Sequence, residues 1–139
     1  VHAAAGLLPP FGTRARAHAY KWVTWLASTL QTTLTLYFYP ERWADAAAGA
    51  AAVKAKAEAK IGTLLDQLDA ELARHGQPWL LGASFSVADP YAFVLCRWTR
   101  EFARPARSLP RLRPWLERVL ARPAVQRAFV SEKLDAPFV

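Results

Sequence analysis

The most restrictive feature of this 139-residue chain is the run Val87-Ala88-Asp89-Pro90-Tyr91-Ala92-Phe93-Val94-Leu95-Cys96, which at helical spacing is apolar on nearly every side until Arg97. A helix of that kind has no face to offer water, so other helices must enclose it. Ser86 and Asp89, three residues apart, mark its start. The Ser86 hydroxyl is expected to accept the backbone N–H of Asp89, while the Asp89 carboxylate reaches back to the N–H of Ser86. Unpaired N–H groups at an enclosed terminus cannot fall back on water, so this capping box should matter more than a surface cap. The helix is expected to run to about Phe102, with one turn weakened by Pro90.

The same period governs the rest of the chain. Thr13 reads as the cap of a first helix that ends near Phe38, before Pro40, and Ala19, Trp22, Val23, Leu26, Leu30, Leu34 and Tyr37 fall on one face in steps of three and four. A second helix carries Val53, Ala57, Ile61, Leu64, Leu65, Leu68 and Leu72, and His75-Gly76 closes it. Between the two, the alanine-rich stretch from Glu41 to Ala52 fits helix or loop. Leu112, Trp115, Leu116, Val119 and Leu120 form a further stripe, which Pro114 is expected to delay or kink, and Pro123 begins a last helix carrying Val125 and Phe129. No alternating pattern of strand length and no fixed repeat occurs. The expected fold class is all-α, a bundle of about five helices over 13–134, with 1–12 as a linker or residual N-terminal segment and 135–139 as a tail.

Several function classes are excluded on composition. With 53% hydrophobic residues and six Trp the chain is too apolar for a disordered tail and has enough material for one core. No uninterrupted apolar stretch approaches the roughly 18 residues that span a bilayer, and no leader is read at the start, so membrane attachment is not expected. One cysteine makes neither an internal disulfide nor a cysteine zinc site; it suits a reducing compartment, and a cytoplasmic location is expected. Cys96 itself reads as a small core residue. His2, His18 and His75 are scattered and read as solvated or capping residues, so no metal site is expected. Asp66 and Asp69 read as solvated carboxylates. There is no phosphate-cradling glycine loop and no nucleophile elbow, and no catalytic residue is assigned.

Two surface features point toward binding. The net charge of +7 resides between Arg97 and Arg127, where nine Arg face only Glu101 and Glu117. Solvated helix exteriors account for such a stretch; an acidic or RNA-bearing partner is the alternative, and nucleic-acid binding is not expected without a recognition motif. On the first helix, Lys21, Thr24, Ser28, Gln31, Thr32 and Thr35 make a second stripe of mostly short, uncharged groups. Such a face suits a wet cleft, or an interdomain or subunit contact.

Leu80-Leu81-Gly82, Phe85-Ser86-Val87-Ala88-Asp89-Pro90-Tyr91, Arg97-Trp98, Trp115-Leu116-Glu117-Arg118-Val119 and Ala121-Arg122-Pro123-Ala124-Val125-Gln126, taken together, resemble the C-terminal domain of bacterial glutathione S-transferases, nearest the beta class. Pro10 and the segment through Lys21-Trp22 and Trp25-Leu26-Ala27-Ser28 are similar to the opening of that domain. The resemblance implies a helical bundle that follows a thioredoxin-like N-terminal domain, absent from these residues, which holds most contacts to the co-substrate glutathione and the thiol-activating residue. It also implies a homodimer, and an acceptor pocket for a small hydrophobic electrophile on the inward side of the first helix and on the central helix. The candidate acceptor-binding residues are Thr24, Ser28, Gln31, Thr32, Thr35 and Trp98, with Ser86 and Asp89 as the structural box. Gln31 and Thr32 stand where beta-class relatives often carry His-Lys, which implies a more neutral pocket. The other functional expectation is a non-catalytic interaction module that docks partners through its basic stretch.

Overall fold

The structure, a computed structural model, describes residues 6–139; His2 and the first five residues of the expected linker lie outside the described residues. Six α-helical segments make five rods: α1 (Arg14–Trp25) and α2 (Thr32–Phe38), which one π-helical turn at Leu26–Gln31 joins into a single rod, then α3 (Ala47–His75), α4 (Ala88–Arg97), α5 (Leu112–Leu120) and α6 (Pro123–Ser131). Among the described residues the only β-type pairing is the isolated bridge Trp79–Gly82.

The long rod starts where Thr13, in extended backbone, accepts the Arg16 N–H on its hydroxyl at 3.1 Å. Its π-turn answers a spacing that a straight α-helix cannot satisfy. Trp22, Leu26, Leu30 and Leu34 recur every fourth residue and are all buried. At 3.6 residues per turn each such step drifts by about 40°, and a wider turn takes up the drift and keeps all four on the core. The Thr32 hydroxyl donates to the carbonyl of Ala27, five residues back, at 3.2 Å, in keeping with the wider turn.

α3 packs along α2 and carries Ala57, Ile61, Leu64, Leu65, Leu68 and Leu72 into the core. The stretch left open between helix and loop divides: Pro40–Trp43 is a 3-10 turn, and the helix begins at Ala47. Gly76, at φ +60, closes α3 by donating its N–H to the Leu72 carbonyl. Only glycine takes up that left-handed conformation at little cost. Asp66 and Asp69, expected as solvated carboxylates, have partners instead. Asp69 Oδ1 accepts the backbone N–H groups of Arg111 and Leu112, each at 2.8 Å, and so caps α5 from a distant helix. Asp66 holds the Arg104 guanidinium through two bonds. Pro114 does not delay α5: it is the third residue of that helix, where the backbone N–H has no helical acceptor in any case.

α4 touches α1, the π-turn and α5, and buries Ala88, Ala92, Phe93, Leu95 and Cys96. It is shorter than the sequence suggests. Thr99, fully buried, donates its hydroxyl to the Cys96 carbonyl at 2.7 Å and accepts the Ala106 N–H at 2.9 Å, which turns the chain away after Arg97. Nor is α4 enclosed all round, because Val94 is 43% exposed along an edge that nothing else in the described chain covers. At the two chain ends, the Leu7 carbonyl accepts the Val87 N–H at 2.9 Å, and the Phe138 ring meets Phe129 at 4.9 Å.

Candidate functional site

The two ends of α4 are built to opposite specifications. At its start the Asp89 carboxylate, with no exposed surface, accepts four bonds: from the Ser86 N–H at 2.8 Å, the Ser86 hydroxyl at 3.0 Å, the Leu80 N–H at 2.8 Å and the indole N–H of Trp115 at 3.0 Å. The reach-back to Ser86 follows the capping-box pattern. The other half differs, because the Ser86 hydroxyl accepts the Ala88 N–H at 3.3 Å, and the Asp89 N–H goes to the Ser86 carbonyl. The helix starts one residue late, after Val87. That shift places Pro90 at the third helical position, where it costs no helical bond, so the expected weak turn does not occur. The carboxylate thereby ties α4, the loop at Leu80 and α5 together.

The far end of α4 opens into a recess of about 420 Å³ against the end of α2. Tyr37 and Phe102 stack there with centroids 4.2 Å apart, and Phe38 meets Trp98 edge-on at 6.3 Å. Thr35 and Trp98 line this recess together; Thr24, Ser28, Gln31 and Thr32 do not. Three hydroxyls of that face turn back onto their own helix: Ser28 donates to the Thr24 carbonyl at 2.8 Å, Thr32 to Ala27, and Thr35 to Gln31 at 3.0 Å. The Gln31 side-chain oxygen accepts the Tyr91 hydroxyl and links the π-turn to α4.

The recess has charged groups in its lining, and Gln31 and Thr32, from which a more neutral pocket was expected, lie outside it. Arg97 and Arg100 line it, opposed only by Glu101, whose carboxylate lies 3.9 Å from Arg100. Burial, and after it the like charge of Arg100, push the Arg97 guanidinium below its ordinary range. Sequence reasoning left Arg97 in a solvated stretch and Tyr37 in the core, and gave Phe38 and Phe102 no role beyond marking helix ends. The available signal was the triplet Tyr37-Phe38-Tyr39 before Pro40, an aromatic cluster at a helix end.

A second concavity, of about 680 Å³, runs between α4 and α6 along the uncovered edge, with Pro90, Phe93, Val94, Val125 and Phe129 in its wall and Leu7 at its margin. Several other basic residues of the 97–127 stretch bind within the fold. Arg107 bonds the Val139 carbonyl and Arg118 that of Pro78, while Arg122 lies 3.7 Å from the Phe85 ring centroid. The single thiol is out of play: Cys96 is buried, and burial pushes it up to about 12. Among the described residues no cluster of His, Cys, Asp and Glu could hold a metal, and no helix is long and apolar enough to cross a membrane.

This is a helical domain organised around a central helix whose first turn is pinned by a buried carboxylate. It belongs to a known family: residues 25–123 match "Glutathione S-transferase, C-terminal domain". The chain is 30% identical over 122 residues to glutathione S-transferase GST-4.5 of Xanthomonas campestris pv. campestris, covering 88% of this chain and 59% of that protein. Among solved structures it is similar to a glutathione transferase homologue from Sulfitobacter with bound glutathione, with 26% identity, a TM-score of 0.82, and coverage of 94% of this chain and 61% of that one. It is likewise similar to a beta-class glutathione S-transferase from Sphingomonas chungbukensis, with 27% identity, a TM-score of 0.79, and coverage of 94% and 61%. The chain thus spans about 60% of the length of these relatives.

Proposed function

We propose that this domain is the acceptor-binding half of a glutathione S-transferase, holding a small hydrophobic electrophile for attack by the thiol of glutathione, in conjugation or in thiol-dependent reduction. The observation that carries this reading is the recess where Thr35 of α2 and Trp98 at the end of α4 meet the rings of Tyr37, Phe38 and Phe102, in a chain of this family. The attacking species is the thiolate, and forming it requires a group that lowers the thiol pKa. Among the described residues the one thiol is buried and no metal cluster is present, and in line with the family resemblance we give that task, and most of the glutathione contacts, to a thioredoxin-like N-terminal domain. The α4–α6 groove is the seat we assign to that domain, since Leu7, near the start of the described residues, helps to line it and is tied by its carbonyl to the start of α4. The contribution of the helical half is proximity, because an acceptor held beside the sulfur reacts without the entropic cost of encounter. Thr24, Ser28, Gln31 and Thr32 form the approach to the recess along the same rod. Homodimerisation and a cytoplasmic location belong to the same proposal.

The test is made on the intact protein, with the N-terminal domain attached. Retention on immobilised glutathione together with turnover of a chromogenic electrophile is expected, and Trp98→Ala should alter acceptor kcat/KM by about tenfold while changing glutathione affinity less than twofold. Binding to an acidic or RNA partner that weakens steeply with salt, with no turnover, would replace this reading by that of a docking module.

A further inference from the structure

One side-chain bond ties together the two elements that wall the recess, at a point away from the recess itself. The Tyr91 hydroxyl of α4 donates to the Gln31 side-chain oxygen, and among the described residues no other side-chain hydrogen bond joins the long rod to α4. Seven residues further along each element, two helical turns or about 10 Å, Phe38 meets Trp98 in the recess wall. The two contacts are rungs of one ladder, a polar rung at the π-turn and an aromatic rung at the recess. The polar rung falls where the rod is least able to hold its own course. Gln31 is the last residue of the π-turn, and helices bend most readily at such turns. Its backbone carbonyl also accepts the hydroxyl of Thr35, which lines the recess, so one residue is bonded both to α4 and to the wall. Apolar contacts between helices slide at little cost, whereas a single polar pair between them fixes register, because slipping breaks it. Tyr91 and Gln31 are both half-buried, so parting them leaves polar groups with little water to turn to.

We infer that Tyr91 is a positioning residue for the recess: through Gln31 it fixes the offset between the end of α2 and the end of α4, and with it the size of acceptor that is held well. This rests on the assignment of the recess as the acceptor site and adds what holds its width. Tyr91 does not line the recess, so its influence on the acceptor passes through the two elements it joins. Without the hydroxyl, Phe38 and Trp98 keep their rings but are free to part. A compact acceptor loses more from a loosened slot than a bulky one that still spans it.

The test uses the intact protein, with the N-terminal domain attached, and two chromogenic acceptors of one chemistry and unequal size, 1-chloro-2,4-dinitrobenzene and 1-chloro-2,4-dinitronaphthalene. Tyr91→Phe, which deletes a single oxygen, should lower kcat/KM for the benzene acceptor about fivefold and for the naphthalene acceptor less than about twofold. The loss should fall chiefly on KM, with the KM for glutathione within about twofold. Gln31→Met, of similar length and without the hydrogen-bonding oxygen, should change the ratio of the two acceptors in the same way. The double variant should go no further than either single one, the non-additivity of residues that act as a pair. A general loss of folded protein lowers both acceptors together, so the ratio separates positioning from folding. Equal losses on the two acceptors, or additive effects in the double variant, overturn the inference, and the acceptor-site reading survives them if Trp98→Ala still impairs acceptor turnover. If the unmodified protein turns over neither acceptor, or Trp98→Ala changes neither, the recess is not the acceptor site and both ideas fall together.

Discussion

The first turn of α4 and its last turn are the two ends of one ten-residue helix and differ in almost every physical respect. At the first, a fully buried carboxylate has four donors converging on it from three parts of the chain. At the last, a half-buried guanidinium has a donor left over, and the rings around it border open space. Complete satisfaction of buried polar groups specifies a unique arrangement, and incomplete satisfaction leaves room for a ligand. The polar anchoring is therefore concentrated at one end of the helix, and the proposed recognition site lies at the other.

The comparison breaks most severely at Asp89. Asp89→Ala strands the Ser86 and Leu80 N–H groups and the Trp115 indole in the core, and a loss of about 3 kcal/mol or more is expected in urea denaturation. Asp66→Ala removes a pair that is more than half exposed on both sides and should cost less than about 1 kcal/mol. Equal denaturation midpoints for the two variants would refute the idea that the α4 start anchors the fold. Asp69→Ala falls between, at about 1 to 2 kcal/mol, because it uncaps α5; a loss as small as that of Asp66→Ala would show that the α5 cap is dispensable. The smallest effect concerns Glu71, whose carboxyl is held below its ordinary value of 4.5, first by the hydrogen bond from Arg74 and further by the charges of Arg74, His18 and His75, against the opposing effect of burial. A lowered carboxyl pKa stabilises the fold above that ordinary value, and the contribution disappears as pH falls through the lower folded value. Stability measured between pH 5 and 3 should fall less steeply in Glu71→Gln, by under about 1 kcal/mol, and an unchanged slope would remove Glu71 from the acid response.

The fold was legible wherever a local pattern has one outcome. The stripes of the first two helices, the Gly76 stop and the Asp89–Ser86 link follow from spacing and capping chemistry alone. The parts that were not legible depend on distant chain. Asp69 looks like any exposed carboxylate until α5 arrives 42 residues later with two free N–H groups. The end of α4 is set by Thr99, whose hydroxyl needs the Ala106 N–H to complete its role. The candidate site divides in the same way. Thr35 and Trp98 were read from the first helix face and from the resemblance, whereas Arg97 is indistinguishable in sequence from eight other arginines between 97 and 127. Only packing shows which guanidinium lacks an acceptor beside a hollow.

The wide turn at Leu26–Gln31 makes the recess depend on counting as well as on contact. Each residue in a helix advances the azimuth by about 100°, so deleting one residue within that turn would swing everything downstream by more than a quarter revolution. Tyr37 and Phe38 would then leave Phe102 and Trp98 and present their rings elsewhere, while α1 upstream stayed in place. Insertions and deletions in this short stretch are thus a dial on pocket shape that no point substitution can turn.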